Sequence, residues 1–188
     1  LALEPDAYIN HHHRGNNIVS PEDTRRVYLQ ICAQFVPAGR EFKIKDGDQE
    51  YVYTLSEESL DRARKMNALV YQKLQPEYTL VEKIAQYTDP MSIITKYRRV
   101  DDDNDGAGLP GTTLGSYSLN GAAVMLYEVS NLGPKMSEEL IKQSLTGIYE
   151  TIKAFATGEI YDVDPDFYEY EIPESGPAVR DPYYSIAS

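Results

Sequence analysis

The last apolar stripe of the chain constrains its fold more than any other feature. Ser137 can cap a helix, Gly158 suits a helix C-terminus, and apolar side chains recur between them every three or four residues. These apolar residues are Leu140, Ile141, Leu145, Ile148, Ile152 and Phe155. Such a stripe is typical of a helix that packs one face against other elements. The spacing therefore predicts a helix over 137–158.

Helical spacing recurs upstream. Ser20 and Pro21 are suited to begin a helix, and Thr54 with Glu57 has the form of a capping box. The predicted long helices are 20–36, 54–76 and 114–129, with a short one at 78–87 and a further turn from 89–90 to Arg99. Four long helices and a short one, with brief connections, predict an antiparallel up-and-down bundle.

One segment has a different period. Phe42 and Ile44 alternate with charged residues, Asp46-Gly47 supplies a turn, and Tyr51 and Tyr53 alternate again. An Asp-Gly turn between alternating segments is a strong hairpin signal. We therefore expect a mainly α fold, with a small β-hairpin inserted at 41–55.

The two ends of the chain lack a sustained period. Residues 1–19 are interpreted as an extended arm, 20–158 as the bundle domain, and 159–188 as an acidic tail rich in tyrosine and proline. The tail holds eight acidic residues, one arginine and four prolines, so we expect it to be disordered alone in water. The predicted core consists of Val27, Ile31, Phe35, Val70, Leu74, Ile84, Leu119, Leu126, Leu145, Ile148 and Ile152.

Composition excludes several classes of protein. A net charge of −12 argues against a nucleic-acid binder that neutralises phosphates. No apolar run reaches the roughly 18–20 residues of a bilayer span. The single Cys32 excludes an internal disulfide framework and a multi-cysteine metal site. Because the chain opens at Leu1 rather than at a methionine, we expect a removed presequence or an incomplete chain.

The candidates for chemistry are weak. Asp101, Asp103, Asp105 and Gly106 match the first half of a calcium loop, but Thr112 stands where a bidentate glutamate belongs. We interpret this segment as a solvated acidic loop, with a calcium sensor as a lesser hypothesis. The run 11–13 holds all three histidines and is interpreted as surface, while Cys32 is interpreted as core. The sequence thus predicts no enzyme, no metal site and no cofactor.

Tyrosine is unusually frequent, with sixteen residues against four phenylalanines and no tryptophan. A tyrosine ring can be buried while its hydroxyl stays bonded at a polar boundary, which suits an interface. Adjacent arginines can bind carboxylates of a partner. We therefore predict a tail that orders on a partner with a basic surface. The predicted partner-binding residues are Tyr97, Arg98, Arg99, Tyr161, Tyr168, Tyr170, Tyr183 and Tyr184.

Short motifs between residues 90 and 157 resemble a known family. They are Ile94-Thr95-Lys96-Tyr97-Arg98-Arg99, Ala107-Gly108-Leu109-Pro110, Thr112-Thr113-Leu114, Leu119-Asn120 and Gly133-Pro134-Lys135. This set is similar to the small lumenal assembly and repair proteins of photosystem II, the Psb twenty-seven family. The PsbQ-like extrinsic subunits are an equally compatible alternative. The hairpin, the arm and the tail have no counterpart in that family.

The resemblance implies a four-helix bundle without catalytic activity, located in the thylakoid lumen of a plastid. It implies binding to protein subunits on the lumenal face of photosystem II, peripheral to the membrane and without a transmembrane helix. From the residues alone, a structural subunit of a capsid or filament, with arms that wrap its neighbours, is the alternative.

Overall fold

The computed structural model describes residues 5–14, 18–23, 27–78, 93–97, 112–130 and 138–176. Four strands precede the first helix, and from there strands and helices alternate as far as the third helix. The strands are β1 (Ala7–Arg14), β2 (Val27–Cys32), β3 (Glu41–Asp46), β4 (Gln49–Thr54), β5 (Ile93–Lys96) and β6 (Ala123–Ser130). The helices are α1 (Glu57–Tyr78), α2 (Thr113–Leu119), α3 (Glu138–Thr157) and α4 (Asp166–Tyr170), with a 3₁₀ turn at Glu159–Asp162.

A mixed four-stranded sheet organises the fold, in the order β1-β6-β2-β5. β1 runs parallel to β6, β6 antiparallel to β2, and β2 parallel to β5. α1 lies against β6 and α3 lies beside α1. The predicted mainly α bundle is therefore wrong, because a sheet occupies the centre of the protein.

The error arose at the central strands. The segment 20–36 was expected to be helical, but Val27–Cys32 forms β2; the expected helix 114–129 stops at Leu119 and is followed by β6. The side chains of Leu29, Gln30 and Ile31 are all buried. A strand that is buried on both faces shows no polar alternation, so its apolar residues imitate a helical spacing.

The outer strands were also expected to be something else. The arm at 1–19 contains β1, and the turn expected to end at Arg99 contains β5. The short helix predicted at 78–87 lies almost wholly outside the described residues.

The hairpin prediction is confirmed. β3 and β4 pair antiparallel in an unbroken register from Glu41↔Thr54 to Asp46↔Gln49. Gly47 has a φ of 61°, a left-handed conformation that glycine adopts without strain. The hairpin contacts the rest of the chain through Phe42 and Tyr53, which pack on a small buried cluster that includes Leu60.

Two predicted helices are confirmed in outline. α1 starts at Glu57, where the hydroxyl of Ser56, rather than that of Thr54, accepts a hydrogen bond from Ser59 N. α3 spans Glu138–Thr157 and is followed by Gly158 in the left-handed conformation, with a φ of 82°. None of the helices in the described ranges joins enough length to enough apolar character for a bilayer crossing.

The first part of the expected tail packs on the protein. Ile160, Tyr168 and Ile172 are buried in the same core as the sheet. Lys96 N donates to Pro173 O and Ser175 N donates to Lys96 O, both at 2.8 Å, so this segment covers the outer edge of β5.

The predicted core is only partly confirmed. Buried as expected are Val27, Ile31, Phe35, Val70, Leu74 and Leu119. Leu126 and Ile148 are half-buried, Leu145 and Ile152 are exposed, and Ile84 lies outside the described residues. Both exposed residues belong to α3.

Candidate functional site

Helix α3 buries its small and polar side. The residues that face inward are Gln143, Gly147, Thr151 and Ala154, each of them buried. They recur at intervals of four and three residues and so form one face of the helix. The large apolar residues, which were expected to face the core, therefore lie elsewhere.

A close approach to β6 explains this orientation. A Cβ atom added to Gly147 would lie 2.8 Å from the ring of Tyr127, and Tyr127 Oη donates to Gln143 O at 3.0 Å. Tyr127 is fully buried, so its ring has little freedom to move. The glycine thus lets the tyrosine ring pack against the helix backbone, and α3 turns its small face inward.

The opposite side of α3 exposes large apolar side chains. Ile141 is 43% exposed, Leu145 63%, Tyr149 62% and Ile152 64%. We call these four residues the α3 apolar face. They are spaced four, four and three residues apart, so they form one stripe along the helix. Contiguous exposed apolar stripes of this kind mark interaction sites more often than isolated apolar residues do.

A groove runs between this helix and strand β1. It has a volume of about 600 Å³. Its lining consists of Asp6, Ala7, Ile9, Ile148, Thr151, Ile152, Phe155 and Ala156. A hydrogen bond of 2.8 Å between His11 Nε2 and Ser144 Oγ also joins the strand to the helix. The groove and the α3 apolar face share Ile152 and so form one continuous surface.

Strand β1 is an edge of the sheet, because its only partner strand among the described residues is β6. Ala123 N donates to Asp6 O at 2.9 Å, which directs the backbone groups of Asp6 toward β6. The backbone N–H and C=O groups of successive residues point alternately to the two sides of a strand. Those of Tyr8 therefore point to β6, as those of Asp6 do, while those of Ala7 and Ile9 point outward. Outward N–H and C=O groups on an edge strand can pair with another chain.

A row of polar side chains crosses the other side of the sheet. The register aligns Thr95, Gln30, Glu128 and His12 across all four strands. Glu128 accepts a hydrogen bond from Tyr97 Oη at 2.7 Å, and its other oxygen lies 3.0 Å from His12 Nδ1. At the far end of the row, Thr95 and Gln30 both bond to the hydroxyl of Ser175. The row joins the edge strand β1 to the segment that covers β5.

Other titratable groups near the sheet are held in inert forms. Burial raises the pKa of the Cys32 thiol to about 12, so the thiolate is scarce at neutral pH. Burial also raises the pKa of Tyr168 well above its usual value. Lys96 Nζ donates to the carbonyl oxygens of Tyr168 and Glu169. Within the described ranges, no three histidine, cysteine or acidic side chains are grouped so that they could hold a metal ion.

The structure describes four of the eight predicted partner-binding residues, and their side chains differ in exposure. Tyr161 and Tyr170 are exposed, at 63% and 80%, on the segment after α3. The prediction that Tyr168 binds a partner is wrong. Tyr168 is 5% exposed, and its hydroxyl accepts a hydrogen bond from Ala33 N, so its side chain offers no surface to a partner. Tyr97 is half-buried against Glu128. Arg98, Arg99, Tyr183, Tyr184 and the Asp101–Asp105 loop lie outside the described residues.

The sequence interpretation missed the α3 apolar face as a surface. It assigned Leu145 and Ile152 to the core because large apolar residues are usually buried. The opposite stripe was a second candidate for the buried face, since Gly147 and Ala154 are small enough to permit close packing of a helix. Two amphipathic interpretations of the same helix were therefore available, and only the position of Tyr127 selects one.

The fold and this surface define a mixed α/β protein with an exposed apolar helix beside a sheet edge. Comparisons of the chain with models of known families, with curated proteins and with solved structures gave no match.

Proposed function

We propose that this protein is a non-catalytic subunit that binds a partner protein through the α3 apolar face and the outer edge of β1. The orientation of α3 carries the proposal. Four large apolar residues, Ile141, Leu145, Tyr149 and Ile152, point to solvent while small and polar residues of the same helix are buried. At about 25 cal/mol per Å² of apolar area, covering such a stripe is worth several kcal/mol.

The chemistry of the surface describes the partner. The outward backbone groups of Ala7 and Ile9 can bind an added strand by main-chain hydrogen bonds. Side chains on that added strand would meet the groove and the α3 apolar face, which are largely uncharged. The partner therefore presents a free strand edge together with apolar side chains.

The more specific assignments stay predictions. A photosystem II complex as the partner and the thylakoid lumen as the location rest on the resemblance within residues 90–157. The bundle that the resemblance implied is wrong, whereas the non-catalytic docking role does not depend on it. The alternative of a capsid or filament subunit predicts regular particles from the purified chain.

Site-specific photocrosslinking tests the proposed function. A photoreactive phenylalanine analogue replaces Tyr149 in the protein within its native cells, and in a control it replaces Tyr170. Tyr170 is 80% exposed against 62% for Tyr149, so poorer access cannot explain a weaker reaction at the control. We expect a protein adduct from position 149 that is lost when Ile152→Asp is added to the same chain.

The outcomes are distinct. No adduct at position 149, or an adduct that persists with Ile152→Asp, would overturn the proposed docking surface. Adducts from position 170 alone would instead support docking through the tyrosine-rich tail.

A further inference from the structure

We infer that the partner on this surface is a second copy of the same chain, in a two-fold dimer formed by β1 against β1 and α3 against α3. This inference rests on the proposed function and adds the identity of the occupant. Such an interface is isologous, because the same surface of each copy meets its counterpart.

The exposed edge of β1 can pair with the same edge of a second copy. A two-fold axis beside β1 pairs this strand antiparallel with its copy, so the outward N–H and C=O groups of Ala7 and Ile9 meet identical groups. The two four-stranded sheets become one sheet of eight strands. The β5 edge is covered by residues 173–175 of its own chain, so it does not compete for this pairing.

Helix α3 lies next to the same edge of the sheet, across the groove from β1. The groove lining joins Ala7 and Ile9 of the strand to Ile148 and Ile152 of the helix. A copy that extends the sheet therefore brings its own α3 alongside, antiparallel, with both α3 apolar faces toward each other. This chain itself has both features that the partner needs, a free strand edge and a neighbouring apolar helix.

Charge also favours the antiparallel copy. The whole chain carries −12, yet among the α3 side chains that the structure describes, the exposed charged ones are Lys142 and Lys153. The last turn of α3 holds no basic residue, and the exposed Asp162 follows shortly after it. Antiparallel packing moves Lys142 of one copy toward the negative C-terminal end of the other helix, where a cation is stabilised.

Sedimentation velocity on the purified 188-residue chain tests the helix part. We expect a species of twice the 21.3 kDa chain mass at about 100 µM protein. Leu145→Asp should raise the dissociation constant at least about 100-fold, because the dimer would bury an unpaired charge. Val52→Asp, on the hairpin where Val52 is 53% exposed, is the matched control and should leave the dimer unchanged.

A second pair of variants tests the strand part. Ile9→Pro removes an outward N–H without removing a β1–β6 hydrogen bond, since proline is tolerated where the N–H faces away from the ladder. It should weaken the dimer by about tenfold or more, while Ile9→Val, which keeps the N–H, should not. Circular dichroism confirms that each variant is folded.

A monomeric wild-type chain at this concentration would overturn the second copy as occupant. So would a dimer that Leu145→Asp and Ile9→Pro leave intact. If the wild-type chain is monomeric but position 149 crosslinks another protein in cells, the proposed function stands and only the second copy is excluded. If there is neither a dimer nor a crosslink, both proposals are wrong.

Discussion

At the scale of single residues, Gln143 is the least satisfied side chain of α3. It is fully buried, and among the residues that the structure describes neither its Nε2 nor its Oε1 has a hydrogen-bond partner. An unpaired buried amide costs about 1–3 kcal/mol. Gln143 therefore lowers the stability of the fold, and no described contact of its side-chain amide offsets this cost.

We expect Gln143→Met to raise the free energy of unfolding by about 1–2 kcal/mol, because methionine keeps the side-chain length and removes both unpaired polar atoms. Urea unfolding at one fixed protein concentration measures the change. Gln143→Glu is the control and should lower the free energy, since it buries a charge at the same place. A destabilised methionine variant would mean that the amide has an important partner.

The buried thiol of Cys32 predicts an alkaline loss of stability. Its pKa is raised from 9.0 to about 12 in the folded protein, so its contribution is complete below pH 9 and is lost as the pH rises toward 12. Tyr168, whose pKa is also raised, acts in the same direction from about pH 10.

Between pH 8 and pH 10.5 we expect the free energy of unfolding to fall by about 2 kcal/mol from Cys32 alone, at about 1.4 kcal/mol per pH unit. Urea unfolding at both pH values, on wild type and Cys32→Ala, measures it. The alanine variant should start lower but lose less between the two values. Equal losses in both proteins would contradict the assignment to Cys32.

At the scale of elements, α3 depends on the glycine that faces Tyr127. We expect Gly147→Ala to lower the free energy of unfolding by about 1–3 kcal/mol, even though alanine favours helix, because the new Cβ overlaps a buried ring. Thermal unfolding followed by circular dichroism measures it. Thr146→Ala, one residue away on α3, is the control and should be neutral or slightly stabilising. A stabilised Gly147→Ala variant would show that the ring can move aside.

Elements with their own local signals were predictable. The hairpin has an Asp-Gly turn and alternation, and α3 has a capped amphipathic stripe, so both were found within a few residues of their true bounds. β2 and β6 were not found, because burial on both faces erases the alternation that marks a strand. β1 was missed because only its pairing with β6, more than a hundred residues away, makes it a strand.

At the scale of the whole molecule, the segment after α3 is part of the folded unit. Residues 159–188 were expected to be disordered alone in water. Ile160, Tyr168 and Ile172 are instead buried, and Arg64 forms an ion pair with Glu169 at 2.8 Å. Removing several buried side chains opens cavities that neighbouring groups cannot refill.

We expect deletion of 159–188 to lower the free energy of unfolding by roughly 3 kcal/mol or more, from the loss of three buried side chains. Thermal unfolding by calorimetry measures the change. A chain that ends at Gly176 keeps every described contact and is the control. An unchanged melting temperature after the larger deletion would contradict the packing seen for this segment.

Local propensity and composition were enough to predict the hairpin, the extent of α1 and α3, and the acidic, single-cysteine character of the chain. Contacts between distant segments make the centre a sheet and turn the large apolar side of α3 to solvent. A helix with a small face and an apolar face can pack either way on periodicity alone. The ring of Tyr127 against Gly147, twenty residues away, makes that choice, and no pattern within α3 contains it.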